Sequence, residues 1–124
     1  MTTLQDQYYD YKPDTDRVRA WQIKRGGPAP EWVVKALLGG VFSFWKSPDP
    51  DNQLPGRVGE INRSGGFVLE ICPDLMRSGD LFASRFGVDG DWVLSEVGDQ
   101  DGLLFYRVMR DEAFKLRYKP SVVT

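Results

Sequence analysis

The sequence contains no histidine and only one cysteine, Cys72. Without histidine the chain cannot form the imidazole-dependent catalytic triads, and it lacks the commonest general base and zinc ligand. A single cysteine excludes an intramolecular disulfide and is compatible with a reducing compartment. Since no imidazole can activate Cys72, we interpret it as filling a gap in the core. These absences favour a protein that is not an enzyme and binds no cofactor.

Long apolar runs and an excess of one charge are also lacking. The longest apolar-rich stretch, 33–45, is interrupted by Lys35 and by Gly39-Gly40, so neither a membrane span nor a signal peptide is expected. Sixteen basic and eighteen acidic residues give a net charge of −2. That charge is too small to indicate nucleic-acid binding by the chain as a whole, so any charged binding site must be local.

The residues that are present are typical of one β-rich globular domain. The chain has 124 residues, of which 41% are hydrophobic and 13% aromatic. We predict an α+β fold, in which a strongly bent antiparallel sheet or a small open β-barrel carries one main helix at about 30–38. The predicted organisation is an acidic, tyrosine-rich arm at 1–16, a single domain at 17–120 with a proline-rich loop at 47–56, and a tail at 121–124.

Local patterns predict the individual elements of this domain. The helix is indicated by Pro30 and Glu31 at its start, apolar side chains on one face, and Gly39-Gly40 at its end. A turn or single helical turn should begin at Pro73, and another should bury Phe114. Apolar and polar residues alternate, or β-formers cluster, in the predicted strands at 17–23, 41–46, 57–61, 67–71, 81–86, 92–97, 103–109 and 115–119. The Gly-containing segment 62–66 predicts a hairpin between 57–61 and 67–71.

The stretch GVDGDWVL, 87–94, raises the question of a carboxylate site. Two acidic turns, Asp89 with Asp91 and Asp99 with Asp101, lie at opposite ends of one predicted strand, and each could hold a hard cation. A six-residue strand separates the turns by about 20 Å, so they cannot share an ion. We therefore interpret these residues as turn formers and expect no metal site.

The same stretch predicts which side chain is buried. Because successive side chains of a strand point to opposite faces, either Trp92 or Val93, but not both, should face the core.

Two groups of residues are candidates for binding. A protein partner could contact exposed side chains in the arm and the proline-rich loop, namely Tyr8, Tyr9, Tyr11, Asp49, Asp51 and Asn52. The alternative is a nucleic-acid site, in which basic residues and an aromatic platform on one face of the first strand stack a base. Its residues would be Arg17, Arg19, Trp21, Lys24 and Arg25. The same alternation also fits a solvated face whose Trp21 covers an edge of the core.

The last third of the chain is rich in basic residues. Arg107 and Arg110 lie in it, and the acidic residues Glu60 and Glu70 could pair with this region.

Two stretches carry a resemblance to a known family. The first is YKPDTDRVRAWQIKRGG, followed by a helix with proline and tryptophan, and the second is GDWVLSEVGDQDGLLFYRVMRDEAFKLRYKP. Together they resemble a family of small uncharacterised proteins of tailed bacteriophages and prophages. The matching residues are Lys12, Pro13, Val18, Ala20, Gln22 and Trp32 near the start, and Gly90, Asp91, Trp92, Gly102, Phe105, Asp111, Phe114 and Tyr118 near the end. The resemblance covers about half of the chain, and the part from Phe44 to Phe86 departs from it.

This resemblance implies an origin rather than an activity, because the family has no established catalytic residues. It implies a phage gene product that works in the cytoplasm of a bacterial host, or in the virion. We expect a non-catalytic accessory protein that binds a host or phage protein, for example to inhibit a host enzyme or defence complex. The alternatives are a nucleic-acid-binding module and a structural or assembly component of the virion.

Overall fold

The computed structural model describes residues 3–4, 8–11, 17–46, 56–76, 85–97 and 104–120. The strands are β1 (Thr3–Leu4), β2 (Tyr8–Tyr11), β3 (Arg17–Gln22), β4 (Ala29–Pro30), β5 (Phe42–Lys46), β6 (Phe67–Ile71), β7 (Phe86–Gly87), β8 (Trp92–Val97), β9 (Leu104–Met109) and β10 (Tyr118–Pro120). The helices are α1 (Glu31–Leu38), α2 (Val58–Arg63) and α3 (Asp111–Arg117), with a single 3₁₀ turn at Pro73–Leu75. None of the helices in these ranges is both long and apolar enough to cross a membrane.

Two antiparallel sheets form the body of the fold, which confirms the α+β prediction. The larger sheet has the strand order β10-β2-β3-β8-β9, and the smaller has the order β5-β6-β7. The short strands β1 and β4 pair in parallel beside them. The sheets do not close into a barrel, so the apolar residues that were expected to line one bent sheet are instead shared between two.

The larger sheet is covered on both faces. On one face, Val93 belongs to a core that the smaller sheet and α1 complete with residues such as Leu69 and Val33. On the other face, Leu94 packs against Phe114 of α3. A third cluster lies between α2 and the smaller sheet, so the layers run from α3 through both sheets to α2.

The alternation predicted for Trp92 and Val93 is confirmed. Val93 is fully buried between the sheets, and Trp92 is half-buried on the opposite face, where its ring stacks on Phe114 with centroids 4.1 Å apart. The cover that α3 provides over this second face was not predicted, because it comes from a distant segment of the chain.

The hairpin predicted at 57–71 is wrong, since residues 58–63 form α2, whereas its second strand is present as β6 with the predicted bounds. The glycines end this helix instead of turning a hairpin. Gly65 has a φ of +75° and donates its N–H to the carbonyl of Asn62, while Gly66 donates to Ile61. These two bonds form the Schellman motif, in which glycine supplies the left-handed conformation. Ile61 is then buried against the smaller sheet.

Other elements agree more closely with the sequence. The main helix lies at 31–38, one residue inside the predicted start, and the helical turn that buries Phe114 is the helix α3. This helix extends through Arg117, so the closing strand is shorter than predicted and covers 118–120. Of the strand predicted at 81–86, only Arg85 and Phe86 lie within the described residues.

Part of the predicted arm is a strand. Tyr8–Tyr11 pairs with β3 on one side and with β10 on the other, so these residues lie inside the larger sheet. Three tyrosines in four positions are strong β-formers, and β3 supplies the partner edge that a local pattern does not reveal.

Candidate functional site

A cluster of four charged side chains, here called the Arg57 cluster, connects α2 to the turn before β8. It comprises Arg57, Glu60, Asp91 and Arg110. The two terminal nitrogens of Arg57 donate to the two carboxylate oxygens of Asp91 at 2.7 and 2.8 Å, and its Nε donates to Glu60. Arg110 donates to the other oxygen of Glu60 at 3.2 Å, which confirms one of the pairings expected for the basic C-terminal region. Each carboxylate in the cluster therefore accepts hydrogen bonds from at least one guanidinium, and each guanidinium donates to a carboxylate.

The protonation equilibria in this cluster follow from its contacts. Burial alone would lower the pKa of Arg57, but hydrogen bonds and charge from Asp91 and Glu60 outweigh it and raise that pKa. Burial alone would raise the pKa of Glu60, whereas the hydrogen bond from Arg57 and the charges of Arg57 and Arg110 lower it. Both groups are therefore held in their charged forms.

Asp91 has a structural role, as we expected when we interpreted GVDGDWVL as a turn. Its contact with Arg57, however, was not predicted. The side chain is 3% exposed, and Oδ2 also accepts the N–H of Val88 at 3.1 Å. Asp89 is exposed and accepts the N–H of Arg25 at 3.1 Å. Among the described residues, no three acidic or cysteine side chains come close enough together to hold a metal ion. Asp99 and Asp101 lie outside the described residues.

Asp111 fixes the first turn of α3 to β8 in a similar way. Its Oδ1 accepts the indole N–H of Trp92 at 2.9 Å, and Lys115 lies 3.0 Å from its Oδ2. The hydrogen bonds from Trp92 and Lys115 lower the pKa of Asp111. The residues Asp91, Trp92 and Asp111, which carry part of the family resemblance, thus hold elements of the fold together.

The candidates for nucleic-acid binding do not form one site. Trp21 is 6% exposed and packs in the core between the sheets, so its ring cannot stack on a base. The guanidinium of Arg25 lies 3.9 Å from the ring centre of Phe67, while Lys24 is exposed nearby. Arg19 lies elsewhere, beside α1. The side chain of Arg17 is outside the described set.

The candidates for protein binding are also divided. Tyr8 is 45% exposed on β2, whereas Tyr9 is half-buried and makes edge contacts with the stacked rings of Trp92 and Phe114, and burial raises its pKa. The backbone of Tyr11 pairs with Tyr118, but its side chain is not described. Asp49, Asp51 and Asn52 lie outside the described residues.

A groove between α1 and the larger sheet, here called the α1 groove, brings the candidate Arg19 together with residues that were not predicted to bind. Its volume is about 380 Å³, and it is lined by Arg19, Glu31, Trp32, Lys35, Ala36, Val41, Leu104 and Tyr106. The rings of Trp32 and Tyr106 are nearly parallel, at 12°, with centroids 6.3 Å apart. The guanidinium carbon of Arg19 lies 5.4 Å from the centre of the Trp32 ring.

The strand register places a row of polar and aromatic side chains beside this groove. Tyr8 pairs with Arg19, Arg19 with Ser95, and Ser95 with Tyr106. Directly opposite residues of antiparallel strands share a face, so the row crosses the sheet from β2 to β9 on the side of α1. A nitrogen of Arg19 donates to Ser95 Oγ at 3.2 Å and so holds the guanidinium in the row.

The sequence did not identify this surface, because its residues come from four separated segments. Helical spacing predicted Trp32 as a core residue, and it is 7% exposed, but the same ring also forms a wall of the groove. Leu104 is 37% exposed at the start of β9. The one available signal was the QYYDY stretch, whose β-propensity could have placed Tyr8 in a strand.

Comparisons with protein families, with curated proteins and with solved structures found no match for this chain.

Proposed function

We propose that this chain is a non-catalytic binding protein that engages a protein partner through the α1 groove and the adjoining row that begins at Tyr8. The observation that supports this proposal is the composition of that surface. Tryptophan, tyrosine and arginine are the residues that contribute most at protein–protein interfaces, and here Arg19 and Tyr8 lie on the side of the sheet that faces α1. Trp32 and Tyr106 are largely buried but, unlike Trp21, line the groove on that side.

The rigidity of the surface also favours binding. Tyr106 is on a strand of the larger sheet. Trp32 is on α1, and two other residues of that helix, Val33 and Ala36, are buried in the core. Side chains that are already held in place lose little conformational entropy on association.

The charged residues elsewhere favour binding over catalysis. Arg57, Glu60 and Asp91 are occupied with each other, and Asp111 with Trp92 and Lys115. A catalytic acid or base needs a proton-transfer path to substrate, whereas these carboxylates accept hydrogen bonds from side chains of the fold.

The biological setting of the partner is a prediction that comes from the family resemblance alone. It suggests a phage or prophage accessory protein that binds a host or phage protein in the bacterial cytoplasm. A component of the virion remains the alternative setting, and mass spectrometry of purified particles would distinguish the two.

Affinity capture with matched variants tests the proposed surface. Leu104→Asp places a charge at the α1 groove, whereas Leu116→Asp places the same charge on α3, on the opposite side of the larger sheet. Both leucines are exposed, at 37% and 76%, so both variants should fold, as circular dichroism can check. A partner captured from bacterial lysate should be retained by wild type and Leu116→Asp and lost by Leu104→Asp. Equal capture by all three proteins would refute the assignment of the surface.

A further inference from the structure

The walls of the α1 groove define the apolar part of what it can bind. Ala36 and Val41 contribute aliphatic carbon, as does Leu104, and Trp32 and Tyr106 contribute aromatic rings. A groove of about 380 Å³ lies in the lower range of ligand sites and suits one or two side chains rather than a folded surface. Its natural occupant is an apolar side chain.

A buried hydrogen-bond donor supplies the second requirement. Trp32 is more than nine-tenths buried, and within the described part of the chain its indole Nε1 has no acceptor. A buried donor without an acceptor costs about 1–3 kcal/mol. Nε1 is itself closed to solvent, so a ligand acceptor reaches it only when a neighbouring side chain of the groove moves aside, and that contact would remove this penalty.

The charges around the groove determine which acceptor is favoured. Among the described residues that line the groove, Arg19 and Lys35 are cationic and Glu31 is the one carboxylate, 3.1 Å from Lys35 at the exposed edge. This described lining therefore carries a positive charge on a chain whose net charge is −2. A carboxylate beside the apolar side chain would be attracted to this site, whereas an ammonium group would be repelled.

From these three features we propose that the α1 groove binds an acidic–apolar segment of a protein partner. Its apolar side chain enters the groove, and the carboxylate of a neighbouring Asp or Glu lies towards Arg19 and Lys35. This inference rests on the proposed function, and it specifies the chemistry of the partner.

Selection from a displayed library of random heptapeptides tests this specificity with the full chain as bait. Wild type should enrich peptides in which Leu, Ile or Phe adjoins Asp or Glu. The Lys35→Glu bait should keep the apolar preference and lose the acidic one, with affinity for the selected peptides falling about tenfold or more. Lys24→Glu is the matched control, because it makes the same charge change at an exposed site outside the groove, and it should select as wild type does.

A second measurement reports on the predicted hydrogen bond. The indole N–H signal of Trp32, assigned by its loss in Trp32→Phe, should move downfield when a selected peptide is added to ¹⁵N-labelled protein. An unchanged signal would contradict the role of Nε1.

The outcomes separate this inference from the proposed function. Enrichment of neutral or basic peptides, or of none above a bait-free control, would overturn the inference. If Leu104→Asp nevertheless abolished capture of a partner, the binding surface would stand and only its specificity would be wrong. Binding of single-stranded DNA in place of peptide, lost in Lys35→Glu, would overturn both proposals in favour of the nucleic-acid alternative.

Discussion

Replacing Asp91 by alanine should be among the most damaging single changes in the described fold. The carboxylate is 3% exposed and binds both terminal nitrogens of Arg57, whose side chain is 12% exposed. It also accepts the N–H of Val88, a residue that is itself buried. Removing it leaves a largely buried guanidinium without its bidentate partner and a buried amide without its acceptor.

The magnitude follows from these contacts. Breaking a buried ion pair by removing one partner costs about 3–5 kcal/mol, and leaving a buried amide unsatisfied contributes part of that cost. Glu60 continues to neutralise Arg57 in the variant, so we expect the lower end, about 3 kcal/mol. For a domain of this length, that loss lowers Tm by about 10 °C.

Urea unfolding followed by tryptophan fluorescence and by circular dichroism measures this loss as a change in the free energy of unfolding at constant m-value. Asp89→Ala is the matched control, because Asp89 lies two residues away, is exposed, and accepts one backbone hydrogen bond. It should cost less than about 1 kcal/mol. Arg57→Met, alone and combined with Asp91→Ala, completes a double-mutant cycle.

The cycle also tests the reason for the loss. An apolar side chain at 57 removes the uncompensated charge, so the double variant should be at least as stable as Asp91→Ala alone. Equal, small losses for Asp89→Ala and Asp91→Ala would refute the argument that the Arg57 cluster stabilises the fold. If the stability loss of the double variant equalled the sum of the losses of the two single variants, Arg57 and Asp91 would not be coupled.

Three further predictions concern packing and pH. Gly87→Ala should lose roughly 1–3 kcal/mol in thermal unfolding, because a Cβ there would lie 2.8 Å from Ile23 and 2.9 Å from Val108; wild-type stability would contradict this close contact. Phe114→Ala should lose about 3–5 kcal/mol in urea unfolding, since its ring stacks between two aromatic neighbours, and a loss below 1 kcal/mol would mean that α3 is not docked as described. The pKa of Glu60 is lower in the folded state than in the unfolded state. Ionised Glu60 therefore stabilises the fold at pH values above its unfolded-state pKa, and this stabilisation is lost as the pH falls through its folded-state pKa. Stability of Glu60→Gln should therefore fall less steeply than that of wild type on acidification, and parallel curves would exclude the effect.

Local signals sufficed for part of the fold. Pro30, Glu31 and Gly39-Gly40 mark the ends of α1 because each acts within one helical turn, and the alternation in β3 depends only on neighbouring residues. The hairpin predicted where α2 lies was wrong because glycine pairs serve both hairpins and helix C-termini. The choice between the two depends on whether Ile61 finds a buried surface, which is a tertiary contact.

The candidate site was less predictable because it, too, depends on tertiary contacts. Arg19 was identified as a binding residue from its strand, but its neighbours Trp32 and Tyr106 are brought to it by the folding of distant segments. The pairing of Arg57 with Asp91 spans 34 positions and leaves no periodic trace in the sequence. Burial on both faces likewise cannot be read from one strand, as Trp92 illustrates.

The position of β2 between β3 and β10 has a consequence for biosynthesis. Residues 9–11 pair with residues 118–120, so the larger sheet can be completed only after residue 120 has left the ribosome. Until then β2 has at most one of its two neighbours, and the aromatic side chains beneath α3 lack their cover. During synthesis, this protein would therefore expose an unpaired strand edge and apolar side chains for longer than a chain whose sheet is built from consecutive strands.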